Sequence, residues 1–336
     1  MSNIEQRKHG RRTQRQRTQK RRRLVGRTIL LLILIVAICL VSYNIISNIS
    51  KSTDSPRLDS NIINNIFNTP KFSVPSDLNI NSANAILVDL EKGKTLFSKE
   101  SEARVFPASI TKVMTAIVVL ENLDDLNEKV FLSEGIFYDT YASNAMVAGF
   151  LPNEEVRAID LLYGLILPSG AECAIGLAER VSGSESAFAE LMNEKAQKLG
   201  MEGSHFTNAT GLHDENHYST VKDLAVLLEY ALKNDTFYEI FTTSRYSTGP
   251  TNMHGDGVTF YSTMFSEMDG AEFEGGSILG GKTGYTPQAG QCLASLAKKD
   301  DNLFILVTCG AYWEIETQRL HIDDAFTVYS AIQQEL

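Results

Sequence analysis

Cysteine is scarce in this chain. Four occur among 336 residues, at positions 39, 173, 292 and 309, and the last three cannot all pair with one another. A disulfide framework is thereby excluded. Cys292 and Cys309 would face each other if Asp300-Asp301 turns a hairpin, so one bridge stays open as a reading beside three small buried hydrophobes. Internal repeats and low-complexity tracts are absent from the body of the chain. The polar bias of a disordered protein is missing too, since 43% of the residues are hydrophobic and 21% charged.

Acid is almost missing from the first 27 residues, where eleven Lys and Arg stand against Glu5 alone, leaving 20 basic and 40 acidic residues for the remainder. Such an arm can bind nucleic acid, but the next segment argues against it. From Thr28 to Ile46 there is no charge at all. At 1.5 Å per residue this run reaches roughly 28 Å, close to the ~30 Å hydrocarbon core of a bilayer. It is longer than a secretory core of about 7–15 residues and lacks an Ala-x-Ala-like exit. We therefore expect a basic cytoplasmic arm at 1–27 and an uncleaved transmembrane anchor at 28–46. Arg21, Arg22, Arg23 and Arg27 hold the N-terminus inside and touch anionic lipid. The partner of this end is the lipid bilayer, with no nucleic acid. Residues 47–76 are rich in Ser, Asn and Asp, with Pro56, Pro70 and Pro75, and read as an extracellular linker. Residues 77–336 form the remaining domain.

Its first regular element starts near Ala83. Ala85–Asp89 and Lys94–Phe97 flank Glu91-Lys92-Gly93 as a hairpin, and Pro107-Ala108-Ser109 leads into a long apolar helix. Helical patterns follow over Ile159–Leu167, Glu172–Val181, Glu185–Leu199 and Val221–Leu232. Strand patterns cover Ser277–Tyr285, Gln291–Ala297 and Leu303–Ala311, with a closing helix from about Ile315. Strands, a helical block, strands and a helix predict an α+β fold, its antiparallel sheet built from both chain ends.

Ser109-Ile110-Thr111-Lys112 puts a hydroxyl and an amine one helical turn apart on one face, so the amine can take the proton that a serine nucleophile must lose. Alone, this spacing is common. Downstream, in order, stand Pro168-Ser169-Gly170 and Gly281-Lys282-Thr283-Gly284, and the combination is characteristic of penicillin-recognising serine acyltransferases. With Asn208–Asp214 and His217–Thr220, these stretches resemble the D-alanyl-D-alanine carboxypeptidases, the low-molecular-mass penicillin-binding proteins, from about Ala83 to the C-terminus.

The resemblance implies a bacterial penicillin-binding, β-lactamase-like domain; the uncharged run ahead of it adds one transmembrane helix in the cell membrane, with the catalytic domain outside. The resemblance also implies Ser109 as nucleophile, acylated by the penultimate D-Ala of a peptidoglycan stem peptide. Lys112 would be the base, kept neutral by burial and by Lys282. Ser169 would relay a proton to the leaving amine. Lys282, Thr283 and Gly284 would bind the substrate, with its terminal carboxylate on the first two. The backbone N–H groups of Ser109 and Tyr285 would hold the oxyanion. β-Lactams would be covalent inhibitors, and neither metal nor organic cofactor is required.

The middle motif departs from the family's usual Ser-x-Asn, because Ala171 stands in the third place, followed by Glu172. The lost amide motivates an alternative reading as a non-catalytic peptidoglycan- or penicillin-binding regulatory protein on the same fold. A β-lactamase reading would need a further base for deacylation, and no candidate for it is evident. Two other matches are formal. Gly276–Thr283 fits the phosphate-loop pattern, but Gly284 and Pro287 discourage the helix such a loop requires. His213 and His217 are four apart, yet Gly211 and the intervening Asp-Glu-Asn read as loop, and Asp214 replaces the glutamate of the zinc motif.

Overall fold

The computed structural model describes residues 71–142, 145–312 and 318–335, apart from the side chains at 139, 141 and 142. The basic arm, the apolar run and the linker as far as Pro70 lie outside the described residues. Among the described residues no helix is long and apolar enough to cross a membrane.

In chain order the elements begin with β1 (Lys71–Ser73), β2 (Asn84–Asp89) and β3 (Lys94–Lys99), then a 3-10 turn at Ala108–Ile110 that runs into α1 (Thr111–Asn122). Next come β4 (Lys129–Leu132), α2 (Glu134–Ala142), β5 (Glu154–Arg157), α3 (Ala158–Ile166), α4 (Ala171–Ser182) and α5 (Glu185–Leu199). α6 (Val221–Ala231), α7 (Asp235–Thr242), β6 (Arg245–Ser247), β7 (Thr259–Tyr261) and α8 (Thr263–Ser266) complete the helical half. The chain then returns to strands as β8 (Glu272–Phe273), β9 (Gly276–Thr286), β10 (Gly290–Lys299) and β11 (Asn302–Ala311), and ends with α9 (Leu320–Ser330) and β12 (Gln333–Glu335).

Six strands form the main sheet in the order β3-β2-β11-β10-β9-β8, antiparallel at every pairing. β2 from the start of the domain lies against β11 from its end, with Ile86 opposite Val307. Asp300 and Asp301 both adopt positive φ, 46° and 63°, which matches the right-handed twist of the hairpin they close between β10 and β11.

Both faces of this sheet are covered, which is why its inner strands read as unbroken apolar runs. Ile86, Val88, Ile305 and Val307 face the large core beneath the helical block. Their neighbours Ala85, Leu87, Phe304 and Leu306 face a second core closed by Ile322, Ala325, Val328 and Tyr329 of α9. Phe72 is buried in that second core, and β1 pairs with β12. Residues 71–73, which composition assigns to the linker, therefore belong to the folded domain.

Helix ends follow local chemistry. Ser184, Thr220 and Asn234 cap α5, α6 and α7 by accepting from backbone N–H groups, and Gly183 and Gly200 end α4 and α5 in the left-handed region. Helix α1 has no side-chain cap. Every residue from Thr111 to Val119 is buried in it, so packing rather than capping fixes the helix that carries Lys112. Its position beneath the sheet sets the geometry of the cleft above it.

Candidate active site

The 3-10 turn lifts Ser109 to the mouth of a cleft of about 860 Å³. Ala108, immediately before it, is held at φ 47°, a conformation that costs an L-residue energy unless its surroundings impose it. Gly211 imposes it. A Cβ on Gly211 would sit 1.9 Å from the Ala108 carbonyl oxygen, and its own φ is +79°. The backbone therefore passes the nucleophile turn at a distance only glycine permits. Gly211→Ala is expected to destabilise the domain by about 2–4 kcal/mol and to slow acylation of Ser109. Chemical denaturation and penicillin labelling read the two effects.

Lys112 lies one turn further on, 3% exposed. Its Nζ donates to Ser109 Oγ at 3.1 Å and to the Thr210 carbonyl at 2.6 Å. Burial pushes its amine down to about 8, against the opposing charges of Glu172 and Glu185. The Thr210 carbonyl is placed by Asn208, whose Oδ1 accepts from Thr210 N, Thr210 Oγ1 and Gly211 N. Asn208 Nδ2 closes the loop on Leu212 O. The Asn208-Ala-Thr-Gly stretch is thus the mould that presents one carbonyl to the lysine.

His217 buttresses the same helix. Thr207 N–H donates to its Nδ1 at 3.1 Å, so Nε2 carries the hydrogen and donates to Thr111 Oγ1 at 2.8 Å. Burial pushes this imidazole down to about 4, keeping it neutral. His213 instead packs edge-on against Phe106. Among the described residues no three His, Cys, Asp or Glu side chains converge on a metal position.

Ser169 forms the second wall. It is buried at φ 69°, and its Oγ has no hydrogen-bond partner. The turn is pinned on both sides, by Gly170 N to Gly164 O and by Ala171 N to Met146 O. Ala171 lines the cleft. Beside it Glu172 turns inward, accepting from Ala148 N and Gly149 N at 2.6 and 3.0 Å, with its carboxyl raised by burial. The polar group next to the missing amide is therefore committed to holding the 145–149 wall.

Strand β9 is the third wall. A Cβ on Gly284 would lie 3.0 Å from the Ser109 amide nitrogen, so this strand and the nucleophile turn come together at glycine distance. Thr283 Oγ1 is 2.7 Å from Thr263 Oγ1, and Tyr285 is exposed at the rim. Lys282 is fully buried, is not part of the cleft lining, and donates to the Thr283 carbonyl at 2.7 Å. Burial and then repulsion from Lys112 push its amine well below the ordinary lysine value, with Glu267 opposing. Burial is thus the main cause lowering both amines, with repulsion between the two lysines beside it.

The structure brings Ser109, Lys112, Ser169, Thr283, Gly284 and Tyr285 to one cleft. It adds residues that no local pattern marks, namely Thr263, Glu267, Gln291, Arg319 and His321. These arrive from three separate segments, so only the topology reveals them. Cys292 and Cys309 are buried free thiols close enough for the Cys292 thiol to raise that of Cys309.

A hydroxyl at the start of a buried helix, a poised amine one turn on, a lone serine opposite and a glycine-bearing strand alongside define a penicillin-binding, β-lactamase-like domain. The crystal structure of the Streptomyces K15 DD-transpeptidase superposes on it with a TM-score of 0.69 at 27% identity, covering 77% of this chain and 98% of that one. A D-alanyl-D-alanine carboxypeptidase from Mycobacterium tuberculosis H37Rv gives 0.65 at 26% identity, covering 78% and 94%. The chain belongs to the D-alanyl-D-alanine carboxypeptidase family, whose profile matches residues 71–312. The carboxypeptidase DacF of Bacillus subtilis is 34% identical over 240 residues, 70% of this chain and 59% of that protein. The chain thus spans less than two thirds of that relative's length.

Proposed function

We propose that this protein is a membrane-anchored serine carboxypeptidase that removes the terminal D-Ala from peptidoglycan stem peptides through a Ser109 acyl-enzyme. The observation that carries the reading is the 3.1 Å contact between Lys112 Nζ and Ser109 Oγ, with the amine lowered to about 8. A lysine so poised spends an appreciable time neutral and can act as a general base.

In this reading Lys112 takes the hydroxyl proton as Ser109 Oγ attacks the carbonyl carbon of the penultimate D-Ala. The oxyanion is received by the N–H groups of Ser109 and Tyr285. As the C–N bond breaks, the proton that Lys112 took is delivered to the leaving nitrogen, the unpartnered Ser169 hydroxyl bridging the two once substrate fills the cleft, and D-alanine departs. Water then attacks the ester, returns a proton to Ser109 Oγ and frees the shortened peptide. Thr283 Oγ1 meets the substrate's terminal carboxylate, while buried Lys282 contributes charge from behind it. β-Lactams enter the same path and stall at the ester. Neither a metal nor an organic cofactor takes part.

Anchoring rests on the eleven basic residues and the uncharged run that follows them. We read 1–27 as cytoplasmic, 28–46 as a single bilayer span and the catalytic domain as extracellular. The test is D-alanine release from a D-Ala-D-Ala-terminated stem peptide by the full chain in detergent, with intact-mass detection of a penicillin adduct. Release together with a single adduct is expected; folded protein giving neither would overturn the reading.

A further inference from the structure

One end of the cleft, beyond Thr283, is lined by Glu267, Gln291, Arg319 and His321. Gln291 settles the protonation of His321 there. Its Nε2 donates to the Gln318 carbonyl at 2.8 Å, and its Oε1 faces the backbone N–H of His321 at 3.3 Å. A carbonyl only accepts and a backbone N–H only donates, so both contacts fix the same orientation of the amide. The His321 Nδ1, 3.0 Å from that Oε1, must therefore carry a hydrogen.

The other ring nitrogen, Nε2, lies 3.1 Å from Glu267 Oε2. His321 is 4% exposed, and that carboxylate oxygen is itself shut off from solvent. A bare Nε2 lone pair set against an ionised carboxylate would bring two electron-rich atoms together away from water, an arrangement that burial makes costly. A second proton removes the conflict.

We propose that His321 and Glu267 form a proton-holding pair that sets the charge of the cleft end receiving the stem peptide's free carboxylate. The proposal rests on the carboxypeptidase reading above. With its proton the pair is neutral overall, and the neighbouring cations act on the substrate undiminished. Without the proton, Glu267 places a bare negative charge in the end that must accept a carboxylate, and binding weakens. The charged and titratable groups facing the pair are Arg319 ahead of α9, whose Nε is 3.7 Å from Glu267 Oε2, and Lys282 of β9. Lys112, His213 and Tyr285 stand around the rest of the same cleft, and Gln291 of β10 is uncharged. His321 and Glu267 are positioning residues here; neither donates to the reacting bond.

The test uses the full-length chain in detergent. Nitrogen-15 NMR of its histidines, assigned by loss of one signal in His321→Asn, is expected to show both His321 ring nitrogens protonated in the folded protein. An unprotonated Nε2 would overturn the proposal. Kinetics give the second readout. KM for a D-Ala-D-Ala peptide is expected to rise at least about tenfold in His321→Asn, which leaves the Glu267 charge unmatched. Adding Glu267→Gln to that variant should remove the rise. A peptide ending in D-alaninamide, which has no carboxylate, should show none of this. A KM in His321→Asn equal to that of the wild type would sink the pair while penicillin labelling of Ser109 persists. Loss of labelling in the wild type would instead sink the carboxypeptidase reading.

Discussion

Ser109→Ala is expected to abolish the covalent penicillin adduct and to lower D-alanine release by at least about 10⁴-fold. The side chain removed is small and partly exposed at the turn, so the core beneath is untouched. Lys112 keeps its bond to the Thr210 carbonyl, and Gly211 still imposes the turn on Ala108. The variant should therefore fold with an unchanged melting temperature while losing chemistry, and calorimetry beside the labelling assay separates the two. Labelling that survives the change would mean that another nucleophile is at work. Among the described residues Ser169 is the only other serine lining the cleft, and its Oγ has no hydrogen-bond partner there.

Lys112→Gln is the second large effect. General-base removal costs typically 10²–10⁴-fold, and we expect penicillin acylation to slow by about 10³-fold with the fold intact. The wild-type pH profile carries the sign. Burial lowers the amine to about 8, and the neutral form is the base. Acylation should therefore rise as pH increases through about 8 and level off above it. In Lys112→Gln that limb should disappear, leaving a slow, flat rate. A wild-type rate independent of pH across this window would remove Lys112 from the role of base. Stopped-flow acylation at saturating and sub-saturating β-lactam distinguishes a change in chemistry from one in binding.

The parts of the site legible in the sequence are those in which chemistry is local. Ser109 and Lys112 are one turn apart, so their spacing alone encodes the contact. Lys282-Thr283-Gly284 is legible because its glycine, a strand breaker by composition, marks a close backbone approach, and the structure puts Ser109 N at that point. The hairpin between β10 and β11 was readable from Asp300-Asp301 and the flanking apolar runs. Glu267, Gln291, Arg319 and His321 carry no such mark. Each is an ordinary polar residue in its local sequence, and their three segments meet only because α8, β10 and α9 are brought together around the sheet. Phe72 escaped for a related reason: a single aromatic among Pro and Ser looks like linker until a strand from the far end of the chain covers it. The role of Asn208 lay between these cases. Its neighbourhood is part of the family pattern, but its three acceptor contacts, and hence its service to Lys112, become visible only in three dimensions.

The sheet order β3-β2-β11 has a consequence for biosynthesis. On a chain made from its N-terminus, β2 emerges more than two hundred residues before the strand it pairs with through Ile86 and Val307. Until β11 has left the ribosome, the inner edge of β2 has no partner, and the apolar upper face of the helical block has no sheet to cover it. Such long-range closure is slow and exposes sticky surface in the interval. β9, which presses Gly284 toward the nucleophile turn, is likewise laid down only after the whole helical block. The cleft cannot exist on a nascent chain, so the ability to form an acyl-enzyme is acquired all at once, with the final strands.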